Sequence, residues 1–329
     1  MSEPLPRTVS TPLRRGRGQV QFGTAAGRAV VVDGLTTEEV RALEQLDGTH
    51  GLPATLTPAA PRDVLALLHR HGLVVTRDDD VALPLALRAV LAGDAQAGAV
   101  LDGVDGYAAL SRRRGARVLV CSRGALPASL VALLRRAGIG EVVLGQAAAD
   151  DWGHEGEASA PTPGAARGGD GAAPALVVLP AGHAVDSTLA EPWLRRGVPV
   201  LPVVLHGVEA VVGPLVVAGG PCLHCLDLTR SDLDPAWPAL LGQLTRQSVG
   251  SDVEVSGETA LVALAAAMAT MVALAFVDGR ALPVGRSLEA ALPWPAVRQR
   301  EWPVHPRCHC DAASSRGSAG EHTATDLSA

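Results

Sequence analysis

The apolar and polar positions divide the chain into two blocks. In the first block, short apolar or alternating runs and two helical patterns predict, in order, two strands and two helices at 18–23, 28–34, 37–48 and 61–72. Thr36 and Glu39 have the spacing of a capping box that opens the first helix, and Gly72 closes the second. With a final apolar run at 73–75, these elements predict a small winged-helix-like α+β domain over residues 1–80.

The second block has longer apolar runs. They predict four strands, at 117–121, 141–145, 175–180 and 197–207. A helix at 126–140, ending in Gly138 and Gly140, joins the first two strands. Strands that are apolar on both faces and alternate with helices are typical of a parallel sheet covered on both sides. We therefore predict an α/β domain over residues 84–311, with a disordered Pro, Gly and Ala-rich insert near 152–174 and a disordered tail at 312–329.

One segment, 259–276, is apolar on almost every face. It is slightly short of the roughly 20 residues that a membrane-spanning helix needs, and it is rich in alanine rather than leucine. The pattern favours a buried core helix, which Ser256 and Glu258 begin and Asp278 and Gly279 end.

Composition limits the partners and the compartment. A length of 329 residues suits two domains, and a net charge of -6 gives no attraction to nucleic acid or to anionic lipid. Arg14, Arg15 and Arg17 leave DNA binding as an alternative, but the predicted helices lack a basic recognition face. The N-terminal basic residues precede no apolar stretch, so no signal peptide is predicted and the protein is expected in the cytoplasm.

Four of the five cysteines form two closely spaced pairs, Cys222/Cys225 and Cys308/Cys310. In a reducing compartment, paired thiols indicate metal ligands rather than disulfides, and zinc is the usual metal. Four sulfurs leave no open coordination position, so the predicted zinc site is structural and clamps the C-terminal segment onto the region that begins at Cys222. Two alternatives stay open: unconnected thiols, and replacement of one sulfur by a histidine, from the set His224, His305 and His309.

The fifth cysteine, Cys121, ends an apolar run, and no histidine or acid lies near it in the sequence. A small core residue is the interpretation favoured over an activated nucleophile. Between the two cysteine pairs, residues 286–302 predict a hairpin.

Three stretches together carry a family resemblance: 13–23 (LRRGRGQVQFG), 211–244, which contains Cys222 and Cys225, and 300–310 (REWPVHPRCHC). They resemble the ThiF-like, cyclodehydratase-type proteins of thiazole/oxazole-modified peptide biosynthesis, within the activating-enzyme-like superfamily. The resemblance implies an N-terminal winged-helix peptide clamp and a Rossmann-like domain with a structural zinc. It also implies binding of a precursor leader peptide, which is presented to a YcaO-type ATP-dependent cyclodehydratase, and a tendency to form homodimers.

The residues after the first strand of the second domain argue against retained adenylation. A nucleotide turn needs several glycines so that the backbone can approach phosphate at a helix N-terminus. Here Ser122 and Arg123 precede the single Gly124, and Gly145 and Gln146 stand where an acid would hold a ribose. We therefore expect a degenerate nucleotide turn and no ATP, although a weak site using backbone amides and Arg123 is the alternative.

These observations predict a non-catalytic scaffold that captures a leader peptide by strand addition. The candidate edges are 19–22 and 29–32; alternatively these two strands pair with each other, with Phe22 and Val31 in the core. Two other functions stay open: an ATP-dependent adenylyltransferase, and a dimeric structural partner that binds no peptide.

Overall fold

The computed structural model describes residues 6–47, 52–57, 63–76, 83–145, 173–246, 254–294 and 296–310. The chain divides into two compact units, Met1–Arg112 and Arg113–Ala329. The predicted tail and, apart from its last two residues, the predicted insert lie outside the described residues. The domain bounds 1–80 and 84–311 stay predictions.

The first unit combines short strands with short helices. Its described strands are β1 (Pro6–Thr8), β2 (Pro12–Gly16), β3 (Gln19–Phe22), β4 (Val30–Val32) and β5 (Val74–Thr76). Its described helices are α1 (Thr37–Glu44), α2 (Val64–Arg70), α3 (Leu85–Val90), α4 (Ala92–Asp102) and the start of α5 (Gly106–Gly115), with a 3₁₀ turn at Ala54–Leu56. Strands β2, β3 and β4 form an antiparallel sheet with β3 in the middle, and β1 pairs with β5.

The predicted capping box forms at the start of α1. The Glu39 backbone N–H donates to Thr36 Oγ1 at 3.1 Å, and the Thr36 N–H donates to Glu39 Oε2 at 2.6 Å. Phe22 lies in the core of this unit, as predicted. The prediction that Val31 is buried is wrong: its side chain is 40% exposed, whereas that of Val32 is 9% exposed, because successive side chains of a strand point to opposite faces of the sheet.

The second unit is built on one seven-stranded sheet. Its described strands are β6 (Arg117–Val120), β7 (Glu141–Leu144), β8 (Leu176–Gly182), β9 (Val200–His206), β10 (Glu209–Val212), β11 (Arg286–Ala291) and β12 (Ala296–Glu301). Its described helices, besides the end of α5, are α6 (Ala125–Arg136), α7 (Ser187–Arg195), α8 (Leu223–Leu233), α9 (Trp237–Arg246) and α10 (Thr259–Val277). The strand order is β12-β11-β10-β9-β8-β6-β7.

The sheet is mixed rather than parallel throughout. Strands β7, β6, β8 and β9 pair in parallel, whereas β9, β10, β11 and β12 pair antiparallel. The prediction of a parallel sheet therefore holds for one half. In the other half, Gly207 and Val208 alone connect β9 to β10, and so short a connection reverses the chain. The predicted hairpin at 286–302 is the β11–β12 pair.

Helices cover both faces of this sheet. Val118 and Val120 of β6 pack into the cluster that contains buried side chains of α6 and α10. Leu119, between them, packs into a second cluster on the opposite face, which contains side chains of α7 and α8. The alternation follows from the two-residue period of a strand, and it explains why these strands are apolar throughout.

Helix α10 contains the apolar segment. Glu258 caps its N-terminus by accepting from the Leu261 N–H at 2.8 Å, and Asp278 is its C-cap residue. The helix is long and apolar enough to span a membrane, and half of its most apolar window is buried inside the protein. Its buried side chains belong to the largest core cluster, as the core-helix interpretation predicts.

Candidate functional site

The structure brings the four paired cysteines together. Cys222 caps the N-terminus of α8, Cys225 follows one turn later, and Cys308 and Cys310 lie in the segment after β12. The Sγ–Sγ distances are 3.8 Å for Cys222–Cys225, 3.6 Å for Cys222–Cys308 and 3.5 Å for Cys225–Cys310. A tetrahedral ion with metal–sulfur bonds of about 2.3 Å has sulfurs about 3.8 Å apart. The cluster can therefore hold a metal ion.

The environment of the thiols also fits a metal site. Burial raises the pKa of the Cys222 thiol to about 11. For Cys225, burial acts in the same direction, but it is outweighed by hydrogen bonds from the backbone N–H groups of His305 and Cys222 and from neighbouring thiols, so its pKa is lowered. Burial, followed by the neighbouring Cys225 and Cys308 thiols, raises the pKa of Cys310. A cation among the sulfurs would compensate the cost of ionising them, and its binding would release protons.

His305 lies beside the four-cysteine cluster and is not part of its group of ligand atoms. Its Nε2 lies 2.8 Å from Asp232 Oδ2, its carbonyl oxygen accepts from the Cys308 N–H at 2.8 Å, and its Nδ1 accepts from the Arg307 N–H at 3.2 Å. Among the described residues, the group of ligand atoms within 4.8 Å of one another consists of the four sulfurs. His224 and His309 are exposed and lie outside that group.

The predicted nucleotide turn is occupied by another part of the chain. Ser122 and Gly124 both have positive φ, 78° and 109°, so the backbone turns sharply between β6 and α6. Residues 254–256 lie directly against this turn: the Val255 N–H donates to the Arg123 carbonyl oxygen at 2.7 Å, and the Leu126 N–H donates to the Val255 carbonyl oxygen at 3.1 Å. A Cβ built on Gly124 would lie 2.8 Å from the Val255 backbone.

The hydrogen bonds with residues 254–256 use the backbone N–H groups that would otherwise bind a phosphate. The first backbone N–H groups of a helix make an anion site because they have no partner within the helix. At α6, the Leu126 N–H is bonded to Val255 and the Ala125 N–H donates to Ser256 Oγ at 3.4 Å. Ser256 Oγ in turn donates to Glu254 Oε1 at 2.8 Å, which places a carboxylate beside the turn. Gln146, the other predicted departure, lies outside the described residues.

Cys121 is a buried side chain at the end of β6. Its thiol pKa is raised to about 12 by burial. Its Sγ lies outside the group of four close sulfurs, so that group does not include Cys121 as a metal ligand, and a protonated thiol is a poor nucleophile. The core interpretation of this cysteine therefore agrees with its environment.

A groove that the sequence did not predict lies between α8 and the antiparallel half of the sheet. This cavity has a volume of about 260 Å³. Its walls include two histidines, His183 and His206, whose ring centroids lie 6.3 Å apart, and a row of arginines and tryptophans. These side chains come from six separate elements and the loops between them, so no spacing in the sequence could have signalled the groove.

In the first unit, the three-stranded sheet has two outer strands, β2 and β4. The prediction that residues 19–22 offer an open edge is wrong, because β3 pairs with β2 on one side and β4 on the other. The alternative, in which β3 and β4 pair with each other, is confirmed. Among the described strands, β4 has no partner on its outer side, and Val30 and Val31 are 37% and 40% exposed.

Comparisons with known proteins bear on the fold. No family model matches the sequence, and no curated protein does. Solved structures match over both units: the heterocyclase TruD (TM-score 0.62, 17% identity, 96% of this chain and 44% of that chain) and E. coli MccB (TM-score 0.60, 13% identity, 94% of this chain and 97% of that chain). A third match is a heterocyclase in complex with substrate and cofactor (TM-score 0.58, 15% identity, 92% of this chain and 39% of that chain).

The chain thus spans less than half the length of the heterocyclases it matches, and nearly all of MccB. The matching MccB structures include complexes with MccA. At these identities the matches show a shared fold. The resemblance to the ThiF-like, cyclodehydratase-type proteins is therefore confirmed at the level of the fold.

Proposed function

We propose that this protein recognises the leader region of a ribosomal precursor peptide and presents the peptide to a YcaO-type, ATP-dependent cyclodehydratase. The observation that carries the proposal is the outer strand β4, whose exposed valines flank a backbone edge without a described partner. An extended peptide that pairs with such an edge gains main-chain hydrogen bonds, while the side chains set the register. A winged-helix-like peptide clamp over residues 1–80 would provide this edge.

The structural neighbours support this class of function. Two of them are heterocyclases and another is MccB with MccA. We propose that the protein acts on newly made peptides in the cytoplasm, where the cluster cysteines would stay reduced.

We further propose that the four cysteines hold zinc in a structural role. When bound, zinc supplies a cross-link among four thiolates and no open position for catalysis. The chain's own residues then fix the segment after β12 against α8, with His305 and Asp232 supporting the loop that carries Cys308. The alternative function, ATP-dependent adenylation, is disfavoured because residues 254–256 occupy the nucleotide turn. No specific observation favours the dimeric partner that binds no peptide.

The test uses the full-length chain with its metal. A display library of random peptides is selected against it, and the enriched peptide is titrated by fluorescence anisotropy. We expect Val31→Asp to weaken binding by at least about tenfold, since a charge on the outer strand disfavours an apolar peptide face. The valine is exposed, so folding should change little.

Two matched variants make the result specific. Leu13→Asp places the same charge on the opposite outer strand, β2, where Leu13 is 41% exposed. Val208→Asp changes an exposed valine in the second unit. Equal binding by all three variants, or no enriched peptide, would overturn the proposal; a loss confined to Leu13→Asp would move the peptide to β2.

A further inference from the structure

A large cavity opens beside the four-cysteine cluster. It has a volume of about 700 Å³ and lies between the end of α7 and residues 216–220, which precede α8. Cys222 and Cys310 both line this cavity, one from each of the two segments that carry the cluster, and both are partly exposed. A water molecule takes up about 30 Å³ in the liquid, so small polar molecules have room to enter the cavity and reach the cluster.

The other two cysteines of the cluster are placed differently. Cys225 is buried, with 0% exposure, and Cys308 is not part of the lining of this cavity. A small molecule that enters the cavity therefore meets Cys222 or Cys310 before it meets Cys225. The cluster thus has an accessible side and a protected side.

Close sulfur contacts in the cluster run between its two segments. Cys225 Sγ lies 3.5 Å from Cys310 Sγ, and Cys222 Sγ lies 3.6 Å from Cys308 Sγ. The contact between Cys222 and Cys225, within α8, is longer at 3.8 Å. Because a cysteine joins only one disulfide, formation of either cross-segment pair leaves the other cross-segment pair for the two remaining thiols. Oxidation that begins at Cys222 or at Cys310 therefore leads to the same product.

The chemistry of such a step is set by the sulfurs. Zinc has no redox chemistry, so an oxidant that reaches the cluster takes its electrons from thiolates. With hydrogen peroxide, a thiolate sulfur bonds to one peroxide oxygen, the O–O bond breaks and hydroxide leaves, which gives a sulfenic acid. A second thiolate bonds to that sulfur, the S–O bond breaks and a second hydroxide leaves. Two thiolates thus supply two electrons to one peroxide and form one disulfide.

We propose that the four-cysteine cluster is an oxidation site for hydrogen peroxide, which enters through the cavity, and that the products are the disulfides Cys222–Cys308 and Cys225–Cys310. Two molecules of peroxide convert the four thiolates, and a thiol reductant reverses the reaction. A disulfide carries no thiolate charge, so the metal leaves. Each disulfide joins α8 to the segment after β12, so the oxidised protein keeps the connection that the metal made. The inference rests on the zinc role proposed above and goes beyond it by assigning a modification.

The experiment treats the full-length, metal-loaded protein with excess hydrogen peroxide and a chromogenic zinc chelator, after its metal content has been measured. Trypsin then releases 197–230, which contains Cys222 and Cys225, and 308–316, which contains Cys308 and Cys310. We expect loss of zinc and two disulfides that join these peptides. Partial reduction with stepwise alkylation identifies the pairs by mass spectrometry.

Disulfides within either peptide, sulfinic acids without disulfides, or no reaction would overturn the proposal. A protein that contains no zinc at the start would contradict the metal assignment alone, since the peptide map still identifies the disulfides. Cys121 is the internal control: it is buried and should be alkylated only after denaturation. In the presence of chelator, the oxidised protein should unfold at a higher urea concentration than the reduced, metal-free protein, because the cross-links remain. Equal unfolding midpoints would contradict the retained connection.

A pair of tryptophan variants tests the route of entry. Ala218 is exposed and lines the cavity, so Ala218→Trp should hinder entry. We expect it to slow zinc release by at least about threefold, since oxidation of a cysteine depends on access to its sulfur. Ala267→Trp, on the exposed side of α10 and outside the cavity lining, should leave the rate unchanged. Equal rates for the two folded variants would contradict entry through the cavity, and the peptide map of the wild-type protein decides the disulfides in either case.

Discussion

Cys121 and Cys222 are both partly or wholly buried thiols with a raised pKa, yet their neighbours give them different chemistry. Cys121 lies in a buried, mostly apolar cluster, and its Sγ is outside the group of four close sulfurs. Cys222 has two other sulfurs within 3.8 Å, and a cation among them would favour ionisation. At the scale of the residue, the role of each thiol therefore depends on the groups that surround its sulfur atom.

This difference predicts the outcome of two substitutions. Cys222→Ser should release the bound metal and lower the free energy of unfolding of the second unit by several kcal/mol, because metal binding is coupled to folding. Metal content by mass spectrometry and urea denaturation provide the two measurements. Cys121→Ala is the control and should retain the full metal content; metal loss there, or none with Cys222→Ser, would mean that the ligands are wrongly assigned.

At the scale of the element, the N-terminus of α6 shows how a binding feature is lost. A strand followed by a sharp turn and a helix is the arrangement that presents backbone N–H groups to a phosphate. Here residues 254–256 satisfy those groups from within the chain and leave no room for a side chain at Gly124. The turn therefore packs against residues 254–256 and bonds to them through its backbone.

We expect calorimetric titration of the metal-loaded protein with Mg-ATP to give no binding heat at millimolar nucleotide. The physical reason is that ATP would have to displace the hydrogen bonds of Val255 with Arg123 and Leu126 and would meet the Glu254 carboxylate. Micromolar affinity would contradict this prediction and revive the adenylyltransferase alternative. ADP and a non-nucleotide polyphosphate distinguish weak phosphate binding from nucleotide recognition.

At the scale of the whole molecule, the second unit is held together by a buried ion pair as well as by its two cores. Arg113, at the end of α5, donates to Asp278 through Nε at 2.7 Å and Nη2 at 2.8 Å, and also to the Ala137 carbonyl oxygen at 3.0 Å. Arg280 also pairs with Asp278 at 2.9 Å. These contacts join the ends of α5, α6 and α10.

Asp278→Ala should destabilise the second unit by about 3 kcal/mol or more, since it removes a carboxylate that pairs with buried Arg113. Arg286→Gln, which breaks the exposed pair with Glu301, is the matched control and should cost less than about 1 kcal/mol. Denaturant unfolding of the metal-loaded variants measures both. Similar small effects for the two variants would show that Asp278 is not a tertiary anchor.

The sequence alone predicted the features that depend on residues close together in the chain. The capping box of Thr36 and Glu39, the apolar strand β6 and the ends of α10 follow from local periodicity and hydrogen bonding, and all three appear in the structure. The paired cysteines were also visible, because the 222–225 and 308–310 spacings mark two half-sites.

Other features were decided by the tertiary structure, because they bring together residues far apart in the chain. At the turn that contains Gly124, the Ala125 N–H donates to Ser256, which lies 131 positions later in the chain. The order of strands makes β3 central and leaves β4 outside, which a strand's own sequence does not encode. Arg230 likewise lies within about 5 Å of the Trp237 and Trp302 rings only because α8, α9 and the segment after β12 meet. Local patterns thus specify the elements, whereas sites formed between distant segments depend on how those elements pack.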